Sequence, residues 1–202
     1  MQLYYSPTSP FVRKIMVLLH ETGQLEDVEK LPTSGTPLAP AKGLPAHNPL
    51  GKVPALARDG APTLYDSRVI CQFLDDRARA SLYGEGESKW SNLVIEATAD
   101  GIVDAALLMV YERRLRPDDK QFHDYIESQW HKVEQAVEAL DQKWLSNLSG
   151  PLSIGQIAVG CALGYLDFRH DARGWRKNAG GLDDWYAKFS ERPSMKATIP
   201  AG

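Results

Sequence analysis

Ser9, the run Asn48–Leu56 and the pair Asp66-Ser67 are the positions where residue type and spacing point to chemistry. Val53-Pro54 puts a residue without a backbone N–H at the entry of the short apolar run Val53–Ala57, where proline fits only at an edge or in a special turn. A cis peptide is expected there. With that geometry the N–H and C=O of Val53 turn outward and can pair with an extended peptide, as an added strand does. Asp66-Ser67 precedes Arg68–Leu74, whose apolar residues Val69, Ile70, Phe73 and Leu74 have helical spacing. Ser67 is therefore expected as the N-cap. Free N–H groups and the positive end of that helix favour a carboxylate, while Asp66 accepts from an ammonium group. One amino-acid head group satisfies both, so the ligand implied is a small peptide. Ser9 itself, followed by Pro10 at the preferred first helical position, reads locally as an N-cap.

The elements that must hold these residues follow from periodicity. Leu3–Tyr5 reads as a strand, and Pro10 to about Thr22 as a largely buried helix stopped by Gly23. Pro32–Pro49 is proline- and glycine-rich and reads as an irregular loop bordering the site. Val53–Ala57 and Pro62–Tyr65 form a hairpin around Asp59-Gly60, and a helix runs from Ser67 to about Ala80. Ser81–Glu87 is too polar and glycine-rich to continue a helix, which sets the division into 1–80, a linker at 81–87, and 88–202. Beyond it the pattern is helical throughout. One long helix carries Trp90 to Tyr111, another Ile126 to Trp144, and a third opens at Ile154 behind the capping-box pattern of Ser153 and Gln156. Gly160 and Gly164 in this last helix predict close packing of a central element.

Composition bounds the function. With 202 residues, 43% hydrophobic content and a net charge of -3, the chain can bury a full core, and nothing suggests a nucleic-acid partner. Met1–Ser6 carries no basic region ahead of an apolar run, and no apolar stretch reaches membrane-spanning length, so a soluble intracellular protein is expected. Cys71 and Cys161 lie far apart in apolar patterns and read as core. The five histidines lack metal-ligand spacing, so no metal is expected. Arg169, Arg173, Arg176 and Lys177 read as a solvated basic patch, and Trp90, Trp130, Trp144 and Trp185 as core. Asp100 and Asp104, at i and i+4, are like charges on one helix face.

Three segments in order, Leu3–Lys14, Asn48–Leu56 and Leu64–Leu74, resemble the glutathione S-transferase family, specifically its cytosolic, serine-type, bacterial-like members. The resemblance implies an α/β thioredoxin-like N-terminal domain that holds glutathione as co-substrate, and an all-α C-terminal helical bundle that shapes a pocket for a small apolar electrophile. It implies a cytoplasmic homodimer that conjugates or isomerises that electrophile in detoxification; some relatives are instead non-catalytic, as RNA polymerase partners or ligand stores. On this resemblance Ser9 is the catalytic hydroxyl, with Tyr5 and Ser6 as rivals. Val53, Pro54, Asp66 and Ser67 bind the peptide, Lys52 meets its glycine carboxylate, Arg13 adds positive potential, and Asp104 reaches the partner subunit's glutathione ammonium. Ionising a thiol of pKa about 8.5 at neutral pH requires a shift of about two units, or about 2.7 kcal/mol. A charge-assisted hydrogen bond of about 1.5 to 3 kcal/mol supplies that, with about 0.3 to 1 kcal/mol from a helix dipole. Serine at position 9 cannot form the mixed disulfide of a disulfide reductase.

Overall fold

The computed structural model describes residues 1–201. Its first half holds a mixed sheet of four strands in the order β2-β1-β3-β4: β1 (Gln2–Tyr5), β2 (Glu29–Pro32), β3 (Ala55–Arg58) and β4 (Ala61–Leu64). β1 runs parallel to β2 and antiparallel to β3, and β3 pairs antiparallel with β4 around Gly60, whose φ of 67° suits a residue without Cβ. No alternation announces β2, because three of its four residues are exposed; its pairing with β1 makes it a strand. Helices α1 (Pro10–Glu21) and α2 (Ser67–Ala78) close the core, in which Leu3 and Leu56 join Ile15, Leu18, Ile70 and Leu74. Every residue of α1 from Val12 to Leu19 is buried, since the sheet side and the helical half both cover it.

The second half is built from α3 (Gly86–Leu115), α4 (His123–Lys143), α5 (Leu145–Leu148), α6 (Ile154–His170), α7 (Gly180–Phe189) and α8 (Pro193–Ala197). α3 starts inside the stretch expected to be irregular, where the Glu85 N–H donates to Ser88 Oγ at 3.2 Å. α6 is the centre, buried without a break from Ile154 to Leu166. A Cβ on Gly160 would lie 2.7 Å from the Phe189 ring and one on Gly164 would lie 2.2 Å from Arg13 Nη1, so both glycines serve close packing as expected. The capping box is only half formed. Gln156 N–H donates to Ser153 Oγ at 3.3 Å, but the Gln156 amide turns outward to the carbonyls of Gly150 and Pro151.

One aromatic departs from expectation: Trp90 is 61% exposed rather than core. It heads a stripe along α3 of Trp90, Val94, Ala97, Gly101, Asp104 and Leu108, spaced by three or four residues and all exposed. The tail grips α1 at both ends. Arg13 donates to Met195 O at 3.2 Å and to Thr198 Oγ1 at 3.4 Å, while Arg192 and Ser194 both bond Glu21.

Candidate functional site

The antiparallel register brings the end of β1, the start of β3 and the end of β4 to one edge, since Tyr4 opposes Ala55 and Leu56 opposes Leu64. The loop leading to Ser9, the Val53-Pro54 pair and Asp66-Ser67 therefore share that edge. Ser9 has extended backbone (φ -83°, ψ 119°), and its Oγ accepts the Val12 N–H at 3.3 Å, which makes it the N-cap of α1. A hydroxyl has one donor and two acceptor lone pairs. The cap occupies a lone pair, so the Ser9 proton stays available to a second partner beside the positive end of α1. Of its rivals, Tyr5 packs under Lys30 with 5.7 Å between ammonium and ring, and Ser6 Oγ lies 3.3 Å from Thr8 Oγ1.

The Val53-Pro54 peptide bond is cis, as expected, and so is Tyr65-Asp66. No described residue pairs with the N–H or C=O of Val53. Asn48 fixes the loop before it, donating to Lys52 O at 2.8 Å and accepting from the Leu50 N–H at 3.0 Å, and leaves Lys52 at the surface. At α2 the cap differs from expectation. Asp66, not Ser67, is the N-cap: its backbone is extended and its carboxylate accepts the Arg68 N–H at 3.0 Å. Ser67 is the first helical residue and is only 2% exposed. Both residue types cap well, so only the backbone at position 66 decides between them.

The sequence reading missed a buried charge network behind this edge. Lys14, 1% exposed, donates to Glu96 at 3.0 Å and to both oxygens of Asp100 at 2.8 and 2.9 Å. Asp100 also accepts Arg68 Nε at 2.8 Å, and the Tyr83 hydroxyl lies 3.4 Å from Glu96. Burial disfavours the Lys14 charge, yet the surrounding carboxylates outweigh it and its pKa is raised. Burial raises the Glu96 carboxyl in spite of Lys14. Asp100 is thus no simple repelling partner of Asp104; it is neutralised from two sides and pins Arg68 at the first turn of α2. Asp104 stands at the surface, its carboxyl raised by partial burial and by Asp100, with Arg68 and Lys52 opposing.

Arg13 is buried and donates to the tail, at Met195 O and Thr198 Oγ1. Both cysteines are buried, and burial pushes the Cys161 thiol up to about 11 and the Cys71 thiol further, so neither is a ready thiolate. Among the described residues no group of His, Cys, Asp or Glu is arranged to hold a metal, and no helix is long and apolar enough to cross a membrane. The basic patch is dispersed. Arg173 pairs with Glu127, and Arg176 with Asp167 and Asp183.

Comparison with known proteins agrees with this architecture. Residues 8–77 match the family described as "Glutathione S-transferase, N-terminal domain" and residues 109–188 the "Glutathione S-transferase, C-terminal domain". The chain is 35% identical to the "Uncharacterized GST-like protein YibF" of Escherichia coli K12, covering 99% of this chain and 98% of that one. It superposes with a TM-score of 0.97 on a glutathione transferase family member from Pseudomonas fluorescens Pf-5 solved with bound glutathione, at 43% identity, covering 100% of this chain and 99% of that one. A second structure from that organism, with bound S-(propanoic acid)-glutathione, matches at 41% identity and a TM-score of 0.92, with both chains fully covered (100% and 100%). The chain belongs to the glutathione S-transferase family, with a thioredoxin-like N-terminal domain and a helical C-terminal domain.

Proposed function

We propose that this protein is a cytoplasmic glutathione transferase that activates the glutathione thiol for conjugation to, or isomerisation of, a small electrophile with an apolar body, in a detoxifying role. Residues 1–80 hold glutathione and residues 88–202 shape the electrophile pocket, joined through 81–87. The observation that carries the reading is the unspent proton of Ser9 at the same sheet edge as the unpaired backbone of Val53. Val53 pairs with the cysteinyl backbone and Ser9 Oγ–H donates to the thiolate. Asp66 accepts the γ-glutamyl ammonium, while its carboxylate meets the N–H groups at the start of α2 beside Ser67 and the guanidinium of Arg68. Lys52 meets the glycine carboxylate. The Pseudomonas relatives, solved with glutathione and a glutathione thioether, support the same ligand class here.

The exposed stripe of α3 supports a homodimer, since a surface led by Trp90 and Val94 gains from cover by a second copy. Asp104 lies on that stripe and completes the partner's site. Calorimetric titration with glutathione, joined to ultraviolet detection of the bound thiolate, tests the reading. Binding with a thiol pKa below that of the free peptide is the expected result. Binding at an unshifted pKa would leave a non-catalytic ligand carrier of this fold, and no binding would refute the assignment altogether.

A further inference from the structure

Between α1, the end of β1 and the tail lies a cavity of about 80 Å³. On α1 the lining residues Val12, Arg13, Met16 and His20 recur at helical spacing, so one face of that helix forms a wall. Ser6 and Pro7 from the loop ahead of Ser9, Lys30 of β2 and Thr198 of the tail complete it. The space admits several waters or one ion of the size of phosphate.

The charges there do not balance. The lining includes Arg13, His20 and Lys30 and no aspartate or glutamate. A buried arginine ordinarily has an acidic partner. Arg13 is 6% exposed, yet its Nε and Nη2 reach the neutral oxygens Thr198 Oγ1 and Met195 O, and no described carboxylate pairs with it. Lys30 makes no ion pair with a described residue either; its ammonium lies 5.7 Å from the centre of the Tyr5 ring. The acids near by in sequence bond elsewhere. Glu21 is taken by Arg192 and Ser194, and Asp27 by Arg77. Glu29 accepts from Gln2 at 2.9 Å and, one residue before Lys30 on β2, belongs to the opposite face of the sheet. In a chain of net charge -3, positive charge is thus gathered around one recess, whose low-dielectric walls concentrate its field.

We propose that this cavity binds a small oxyanion of the phosphate or sulfate type. Lys30 is exposed, His20 half-buried and Arg13 buried, so positive groups line the recess from its mouth inward. A tetrahedral oxyanion accepts charge-assisted hydrogen bonds from several directions at once. Val12, Met16 and Leu25 form the apolar part of the lining and keep water from the ion, which strengthens those bonds. None of Val53, Pro54, Asp66 and Ser67 lines this cavity, and the proposal does not rest on the glutathione reading. It meets that reading at one point: an anion held here ties the loop ahead of Ser9 to β2 and to the tail.

Calorimetry and thermal unfolding of the intact protein with sodium phosphate and sodium sulfate, each against sodium chloride at matched ionic strength, test the site. Both oxyanions should bind and raise the unfolding midpoint, as a ligand of the folded state does, and chloride should not. This comparison needs no variant. Lys30→Gln, with circular dichroism reporting the fold, should weaken phosphate binding about tenfold or more, the effect of one lost hydrogen bond to a charged group. Lys143→Gln on α4, away from the cavity, should leave it unchanged. Repeating the phosphate titration with saturating glutathione should give the same affinity. Absence of oxyanion binding, or an equal effect of chloride, would overturn the site as mere screening. Undiminished binding in folded Lys30→Gln would overturn it as well, and competition by glutathione would assign the anion to the carboxylate positions of the peptide instead.

Discussion

At the residue scale the proposed function turns on the Ser9 hydroxyl, which caps α1 with a lone pair and, on that proposal, gives its proton to the thiolate. Ser9→Ala should raise the pKa of the bound glutathione thiol by about two units, a loss of about 2.7 kcal/mol of thiolate stabilisation. Activity at neutral pH should fall and return as pH climbs toward the ordinary thiol value. An ultraviolet titration of the bound thiol reads this directly; an unmoved pKa would reduce Ser9 to a cap, whose removal alone costs about 1 kcal/mol of stability. Small polar residues ahead of a helix signal a cap, which is why the Ser9 cap was legible in the sequence, while at α2 the same signal pointed to Ser67 and the cap fell one residue earlier, on Asp66. Lys14 was not legible. A lysine between Arg13 and Ile15 carries no mark of carboxylates 82 and 86 positions away, and Arg68 gains its meaning only from Asp100.

Among the elements, those with one apolar face declared themselves: α1, α2, α4 and the β3–β4 hairpin match their periodicity. β2 lacked a pattern because it is exposed, and Trp90 misled because aromatic spacing cannot tell a core from a face left open on one chain. α6 was legible through its small residues. Its close approach to α1 makes Gly164→Ala a sharp probe: the new methyl would meet Arg13 at 2.2 Å and the Tyr186 hydroxyl at 2.9 Å. Arg13 is buried and held by the tail, so it cannot simply swing away. Urea unfolding should show a loss of about 1 to 3 kcal/mol, the usual cost of overpacking. A variant as stable as the wild type would mean that Arg13 has another resting place.

At the scale of the whole molecule, the proposed dimer makes a prediction of its own. If Asp104 serves the partner's glutathione, mixing an Asp104→Ala chain with a Ser9→Ala chain yields heterodimers in which one site keeps both groups and the other keeps neither. Activity should then recover, to about half per heterodimer. No recovery after proven subunit exchange, or a monomer by light scattering, would refute the arrangement. Long-range pairings such as Lys14 with Asp100 and Arg13 with Met195 were beyond the sequence pattern, yet they govern how the molecule comes into being. A ribosome delivers the Ser9 helix early and its partners late. When the first strands and helices emerge, Lys14 carries a charge with no counterion and Arg13 has no carbonyl to grip. The carboxylates arrive 82 and 86 residues afterwards, and the tail 182 residues after Arg13. The packing around α1 is therefore among the last features completed during synthesis, and a chain released before its final helix lacks the latch that holds α1 to the tail.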